Sequence, residues 1–188
     1  TLALPLISAS MDTITGSTMA NFMHSKGAMG AMHRFMTIDQ NVAEFKRCQG
    51  PTFVSIGCSD AELQRAEALR DAGATYFSVD VAHGHARYVG KMLKRLRDLL
   101  GEKACLMAGN VATYAGADYL ASCGADIVKA GIGGGSVCTT RIKTGFGVPM
   151  LTCIQECARA DRSIVADGGI RTPGDLVKAL AFGADFIM

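Results

Sequence analysis

Asp71-Ala72-Gly73-Ala74-Thr75-Tyr76-Phe77-Ser78-Val79-Asp80-Val81-Ala82-His83-Gly84-His85 runs from the end of a helix through an apolar strand into a polar loop. The glycine can take positive φ and close the last helical turn, and the small residue after it starts the turn into the strand. Residues 75–80 then have the aromatic and β-branched content of a short buried strand. The joint recurs at Ser122-Cys123-Gly124-Ala125-Asp126 and Ala181-Phe182-Gly183-Ala184-Asp185, each time ahead of another apolar run. A repeated αβ joint predicts a repeated βα architecture.

Outward from that stretch, apolar runs alternate with amphipathic segments along the whole chain. Strands are expected at residues 2–8, 28–32, 52–56, 75–80, 104–108, 126–130, 163–166 and 184–188, with seven helices between them. One of these helices opens on Ser59-Asp60 as its N-cap, stops at Gly73, and places Ala61, Leu63, Ala66, Leu69 and Ala72 near one face. Eight strands in a strict βα rhythm favour an α/β fold of the closed (β/α)8 TIM-barrel type over an open doubly wound sheet. Such a barrel places its functional residues just beyond the C-terminal ends of the strands.

The sequence meets that demand. Ser10-Met11-Asp12 follows the first strand, His33-Arg34 the second, Asp80 to His85 the fourth, Gly109-Asn110 the fifth, Gly131 to Arg141 the sixth and Asp167-Gly168-Gly169 the seventh. Polar residues and glycines gather on one rim.

Composition narrows the function classes. The 188 residues are 49% hydrophobic and 19% charged, with a formal net charge of +2, which suits one well-cored domain and gives no footprint for nucleic acid. The cluster Lys91, Lys94, Arg95, Arg97 has helical spacing and reads as a solvated helix face. Seven cysteines without a CxxC pair predict a reducing cytoplasm and no disulfide framework. The apolar runs are too short to cross a membrane, and no signal peptide is evident. Starting in one apparent strand at Thr1 and stopping in another at Met188, the sequence reads as one catalytic domain, 1–188, cut from a longer enzyme.

Chemistry concentrates in three rim loops. Glycine N–H groups after the seventh strand suit a phosphate, and Asp167 beside them suits ribose hydroxyls, so a nucleoside monophosphate is the natural ligand. An N-cap followed by a tight turn is the plainer alternative. In Gly131-Ile132-Gly133-Gly134-Gly135-Ser136-Val137-Cys138-Thr139-Thr140-Arg141 the glycines let a ligand or ion approach the backbone. Cys138 at the end of that loop is the candidate nucleophile, with Arg141 and backbone N–H groups to favour a thiolate and Thr140 to hydrogen-bond a reacting group. The other cysteines read as small hydrophobes. His24 reads as surface or packing, whereas His83 and His85 suit ligand contact and turn stabilisation equally. Met11 stands out on the rim among methionines otherwise expected in the core. No Gly-x-Gly-x-x-Gly follows the first strand, so a dinucleotide would not be held in the Rossmann manner.

The loop GIGGGSVCTTR, together with ASMDT, DVAHGH, AGNVAT and ADGGIRTPGD in that order, resembles the inosine monophosphate dehydrogenase and guanosine monophosphate reductase family. The likeness spans essentially the whole chain. It implies that Cys138 attacks C2 of a purine nucleoside monophosphate. A dehydrogenase would then pass hydride to NAD and release xanthosine monophosphate with water. A reductase would expel ammonia from guanosine monophosphate and take hydride from NADPH.

By the same resemblance, Ser136, Asp167, Gly168 and Gly169 hold phosphate and ribose, Met11 packs near the base, and Asp80 and Asn110 line the nicotinamide side. Carbonyls of Gly133, Gly135 and Cys138 stand where the family binds a potassium ion, and Gly134 replaces a usual proline, which loosens the loop. Dehydrogenase-like ASMDTIT, TTRI and ADGGIR occur beside reductase-like MHRF, MAGN, SVCTTR and KTGFG. The narrow balance favours the dehydrogenase, although Phe45 to Pro51 runs directly into the third strand where dehydrogenases usually insert paired CBS domains. The family's catalytic flap would follow the eighth strand, beyond this sequence. A homotetramer is implied, and a purine-nucleotide-binding barrel without turnover stays as the alternative from another class.

Overall fold

In a computed structural model describing residues 2–188, strands and helices alternate as the sequence predicts. The order is β1 (Ile7–Ser8), α1 (Ser17–Ser25), β2 (Met29–Met32), α2 (Ile38–Phe45), β3 (Thr52–Ile56), α3 (Asp60–Asp71), β4 (Tyr76–Asp80) and α4 (Arg87–Leu100). It continues with β5 (Cys105–Val111), α5 (Tyr114–Ser122), β6 (Ile127–Ala130), α6 (Thr140–Thr144), α7 (Met150–Cys157), β7 (Ser163–Ala166), α8 (Pro173–Ala181) and β8 (Phe186–Ile187). All neighbours pair in parallel in the order β1 to β8, and a bridge between Leu6 and Ile187 returns the last strand to the first. The result is a TIM barrel.

The αβ joint has one geometry at each of its three sites. Gly73, Gly124 and Gly183 have φ of 100°, 104° and 107°, where a side chain would be strained. The N–H groups of Ala74, Ala125 and Ala184 reach back to the carbonyls of Leu69, Leu120 and Ala179, so the end of each helix is satisfied. Asp126 and Asp185 then accept from the backbone N–H of Leu106 and Ile164 on the preceding strand, both at 2.8 Å. One five-residue phrase therefore stops a helix and registers the next strand.

Both faces of the sheet are buried, which explains the near-continuous apolar runs. Val54, Ile56, Phe77, Val79, Leu106 and Val128 pack outward with Leu69, Leu93 and Leu120 of the helices. Ile7, Met29, Ala31, Phe53, Met107 and Val165 meet one another inside the barrel, and the Phe53 and Tyr76 rings pack edge to face at 5.5 Å.

Several expectations need correction. The first and last strands shrink to two residues each, because only Ile7 and Ser8 at the end of the first and Phe186 and Ile187 of the last pair in the ladder. β5 extends to Val111, so Gly109 and Asn110 belong to the strand. Eight helices are described where seven were expected, the extra one being α6 inside the cysteine loop. On α3, Ser59 is the N-cap but its hydroxyl makes no capping bond, and Ala61 is exposed while Glu62 and Arg65 are buried. Arg97 leaves the solvated face of α4 to bind the carbonyls of Ala104 and Gly124 and the carboxylate of Asp126, whereas Lys91, Lys94 and Arg95 are exposed.

Candidate active site

The site is built on a lysine at the upper end of the barrel interior. Lys129 on β6 lies in register with Gly109 of β5, whose missing side chain makes room for it: a Cβ there would stand 2.5 Å from that of Lys129. The Lys129 side chain is 2% exposed, and its Nζ lies 2.6 Å from Asp80 Oδ1 and 3.2 Å from Asp167 Oδ2. Ser10 Oγ donates to the other Asp80 oxygen at 2.8 Å. Asn110 Nδ2 donates to Asp167 at 2.7 Å and to the Gly131 carbonyl at 2.9 Å, tying the ends of β5, β6 and β7 together.

Burial alone would drive the Asp80 carboxyl toward its neutral form, but the Lys129 ammonium, the Ser10 hydroxyl and the Arg34 charge together outweigh it and hold the group below the ordinary carboxylate range. Burial likewise opposes the charge on Lys129, and the Asp167 and Asp80 carboxylates overcome it, raising the ammonium above its usual value. The interior therefore holds a charged triad, stable only as a set.

The cysteine loop folds against the β7 turn through glycines. Gly168, at φ 97°, sits so close to Gly135 that a Cβ would stand 2.9 Å from its nitrogen, and one on Gly169 would stand 3.0 Å from the Gly134 carbonyl. This contact sets Gly168 and Gly169 beside Ser136. Gly133 turns at φ 79° over the Arg141 side chain, and Val148 N–H returns to the Ile132 carbonyl at 3.0 Å.

Cys138 is half-buried, and its N–H donates to the Gly135 carbonyl at 3.1 Å. The Thr140 hydroxyl, then the Thr140 N–H, lower its thiol pKa; burial opposes them, and Arg141 and the Gly133 N–H add to the lowering. Burial instead pushes Cys58 and Cys105 up to about 11. Of these thiols, only Cys138 is tuned toward a nucleophile.

Cys138, Thr140, Gly133, Asp80, Asn110 and Asp167 line one cavity of ≈ 350 Å³ together with Arg34 and Phe35. A second cavity of ≈ 590 Å³ shares Ala82, Ile132 and Thr140 with the first and is otherwise lined largely by apolar groups such as Val111, Phe146 and Val148, with His83 and His85 at its edge. Ser136, Gly135, Gly168 and Gly169 do not line either cavity; Gly168 meets Gly135 in the loop contact. Met11 stands apart on the β1–α1 turn and is 38% exposed. Sequence reading assigned no role to Lys129, although a lone lysine at an inward position of an apolar strand was a usable signal.

The family model described as the IMP dehydrogenase / GMP reductase domain matches residues 1–188. The chain belongs to the IMP dehydrogenase / GMP reductase family. It is 40% identical over 192 residues to a GMP reductase of Helicobacter pylori, an alignment covering 98% of this chain and 58% of that protein. It is also 40% identical over 197 residues to a GMP reductase of Vibrio cholerae, covering 98% and 56%. A crystal structure of inosine 5′-monophosphate dehydrogenase from Legionella pneumophila superposes with a TM-score of 0.97 at 80% identity, covering 100% of this chain and 58% of that one. The chain thus spans a little over half the length of these relatives. Among the described residues, no helix is long and apolar enough to cross a membrane, and no group of three His, Cys, Asp or Glu side chains is placed to hold a metal ion.

Proposed function

We propose that this chain is the catalytic barrel of an oxidoreductase acting on C2 of a purine nucleoside monophosphate, with inosine monophosphate and NAD as substrates. The observation that carries the reading is the lowered Cys138 thiol facing Asp167 and Asn110 across one cavity, in a chain 80% identical to a solved IMP dehydrogenase. Asp167 accepts ribose hydroxyls, while Gly168, Gly169 and Ser136 donate to the phosphate. Met11 packs toward the base. Cys138 Sγ bonds to C2; hydride leaves C2, and water then attacks that carbon, breaking the C–S bond and releasing xanthosine monophosphate and the thiol. Thr140 holds the reacting thiol and, later, the water.

A nicotinamide cofactor fits the adjoining apolar cavity, which meets the first at Thr140 and Ile132. When bound there, it accepts the hydride. Asp80 and Asn110, on the lining of the first cavity, would orient the nicotinamide from there, and the apolar lining of the second excludes water. The curated relatives support a second reading, GMP reductase using NADPH, through the same cysteine adduct. Carbonyls of Gly133, Gly135 and Cys138 form the candidate potassium site; an all-carbonyl donor set suits a hard monovalent cation rather than a transition metal. We also place the protein in the cytoplasm, in keeping with its free thiols, and assign it a homotetramer.

The test uses the whole gene product in potassium buffer. NADH formation from inosine monophosphate and NAD is expected, and Cys138→Ala should abolish it while nucleotide binding persists in calorimetry. NADPH oxidation with guanosine monophosphate, and no NADH formation, would replace the first reading with the second. Binding without either reaction would leave a nucleotide-binding barrel. Light scattering reads the tetramer, and exchange of potassium for lithium reads the cation site.

A further inference from the structure

Beside Arg34 of the catalytic cavity lies a buried polar circuit that the proposed chemistry does not use. Arg65 and Glu62, on the inner face of α3, are 8% and 9% exposed. Arg65 donates through Nη2 to the Met36 carbonyl at 3.0 Å, through Nη1 to Asn41 Oδ1 at 3.0 Å, and through Nε to Glu62 Oε1 at 3.2 Å. The other Glu62 oxygen accepts from Gly57 N–H, at the end of β3, at 2.6 Å. A Cβ on Gly57 would stand 3.2 Å from the Arg34 guanidinium carbon and 3.3 Å from the Glu62 side chain, so Arg34 rests on the same glycine that Glu62 holds.

The circuit closes through the β2 loop. Met36 N–H donates to the Arg34 carbonyl at 2.8 Å, Phe35 N–H donates to His33 Nδ1 at 3.2 Å, and the Arg34 guanidinium lies 5.3 Å from the Phe35 ring centre. Arg34 and Phe35 both face the cavity, and the Arg34 charge adds to the field that keeps Asp80 ionised. Buried charges whose polar atoms each have a partner are costly to assemble and hold geometry well. Arginine's planar fork is suited to gripping three acceptors on three elements at once.

We propose that Arg65, which does not line the cavity, is a positioning residue that clamps the His33–Met36 loop onto the end of β3 and so fixes Arg34 and Phe35 on the cavity that Cys138 also lines. The ligand-side consequence rests on the function proposed above. Because Arg34 and Phe35 line the cavity that holds the nucleoside monophosphate and not the adjoining apolar one, loosening them weakens nucleotide binding in ground state and transition state alike.

Arg65→Lys keeps the charge and loses the fork, and is tested in the whole gene product. Hydrogen-exchange mass spectrometry should show faster exchange at residues 33–36 than in the wild type, with the α3 core unchanged. In turnover assays the KM for the nucleoside monophosphate should rise about tenfold, the loss of roughly one charge-assisted hydrogen bond, while kcat and the KM for the nicotinamide dinucleotide stay within about twofold. Unchanged exchange at 33–36, or an equal change in both KM values, overturns the proposal. Glu62→Gln keeps the size of the side chain and weakens the grip on Arg65; it gives a smaller shift in the same direction and carries the test if the lysine variant does not fold. A wild type without turnover on any substrate pair would sink the function reading alone, since the exchange measurement needs no catalysis.

Discussion

Lys129 Nζ stands 2.6 Å from Asp80 Oδ1, inside a barrel where the lysine side chain is 2% exposed. The same ammonium reaches Asp167 at 3.2 Å, so one cation serves two carboxylates on strands that are not neighbours. Removing it leaves two half-buried carboxylates without their shared cation. Lys129→Met should therefore destabilise the fold by roughly 3–5 kcal/mol and abolish turnover, whereas Lys129→Arg should retain more of both. Denaturant midpoints and steady-state assays of the two variants check this; a methionine variant as stable as the wild type would contradict the charged triad.

Asp80 also predicts how stability responds to acid. Its pKa is lowered in the folded protein, so its contribution is present above the unfolded value of about 3.9 and is lost as pH falls through the lower folded value. The stability gap between wild type and Asp80→Asn should be full at neutral pH and shrink below about pH 4. Lys129, whose pKa is raised, acts at the other end: its contribution holds below about 10.4 and is lost as pH rises through the folded value. Urea titrations across both ranges read the two limbs.

The reactivity of Cys138 depends chiefly on Thr140. Thr140→Val removes the hydroxyl at nearly constant size, so the thiol pKa should rise and alkylation by iodoacetamide at neutral pH should slow several-fold. In the wild type, Cys138 should be labelled well before Cys58 and Cys105, which burial holds near 11. Peptide mapping after timed labelling distinguishes these outcomes, and early labelling of Cys58 would count against the assignment.

Gly168 joins the β7 turn to the cysteine loop. Gly168→Ala puts a side chain at φ 97° and 2.9 Å from the Gly135 nitrogen, both unfavourable, and both are relieved only by moving the loop that carries Ser136 and Cys138. Stability should fall by about 1–3 kcal/mol, and affinity for the nucleoside monophosphate should fall with it. Calorimetry with inosine monophosphate measures the second effect; unchanged affinity would show that the two loops are not coupled through this contact.

The sequence by itself determined the barrel. Its strand period, its recurring Gly-Ala joint and its polar loop starts are local signals, because helix ends and turns are fixed by the φ freedom of a glycine and by hydrogen bonds a few residues away. The cysteine loop and the ADGGI turn were legible for the same reason. What local reading missed lies at long range. Gly109 and Asn110 read locally as loop, but Gly109 pairs with Lys129 of β6 and β5 runs on past a register shift to Val111. Glu62 and Arg65, outside the apolar face expected of α3, are buried, Arg65 against Asn41 of α2 and Met36 of the β2 loop. Lys129 was one lysine among many in the chain; only closure of the barrel, which brings β4, β6 and β7 around one axis, gave it two carboxylates and a glycine to stand beside. Tertiary structure decided which charges are buried together, because that depends on which strands face one another across the interior and leaves no periodic trace along the chain.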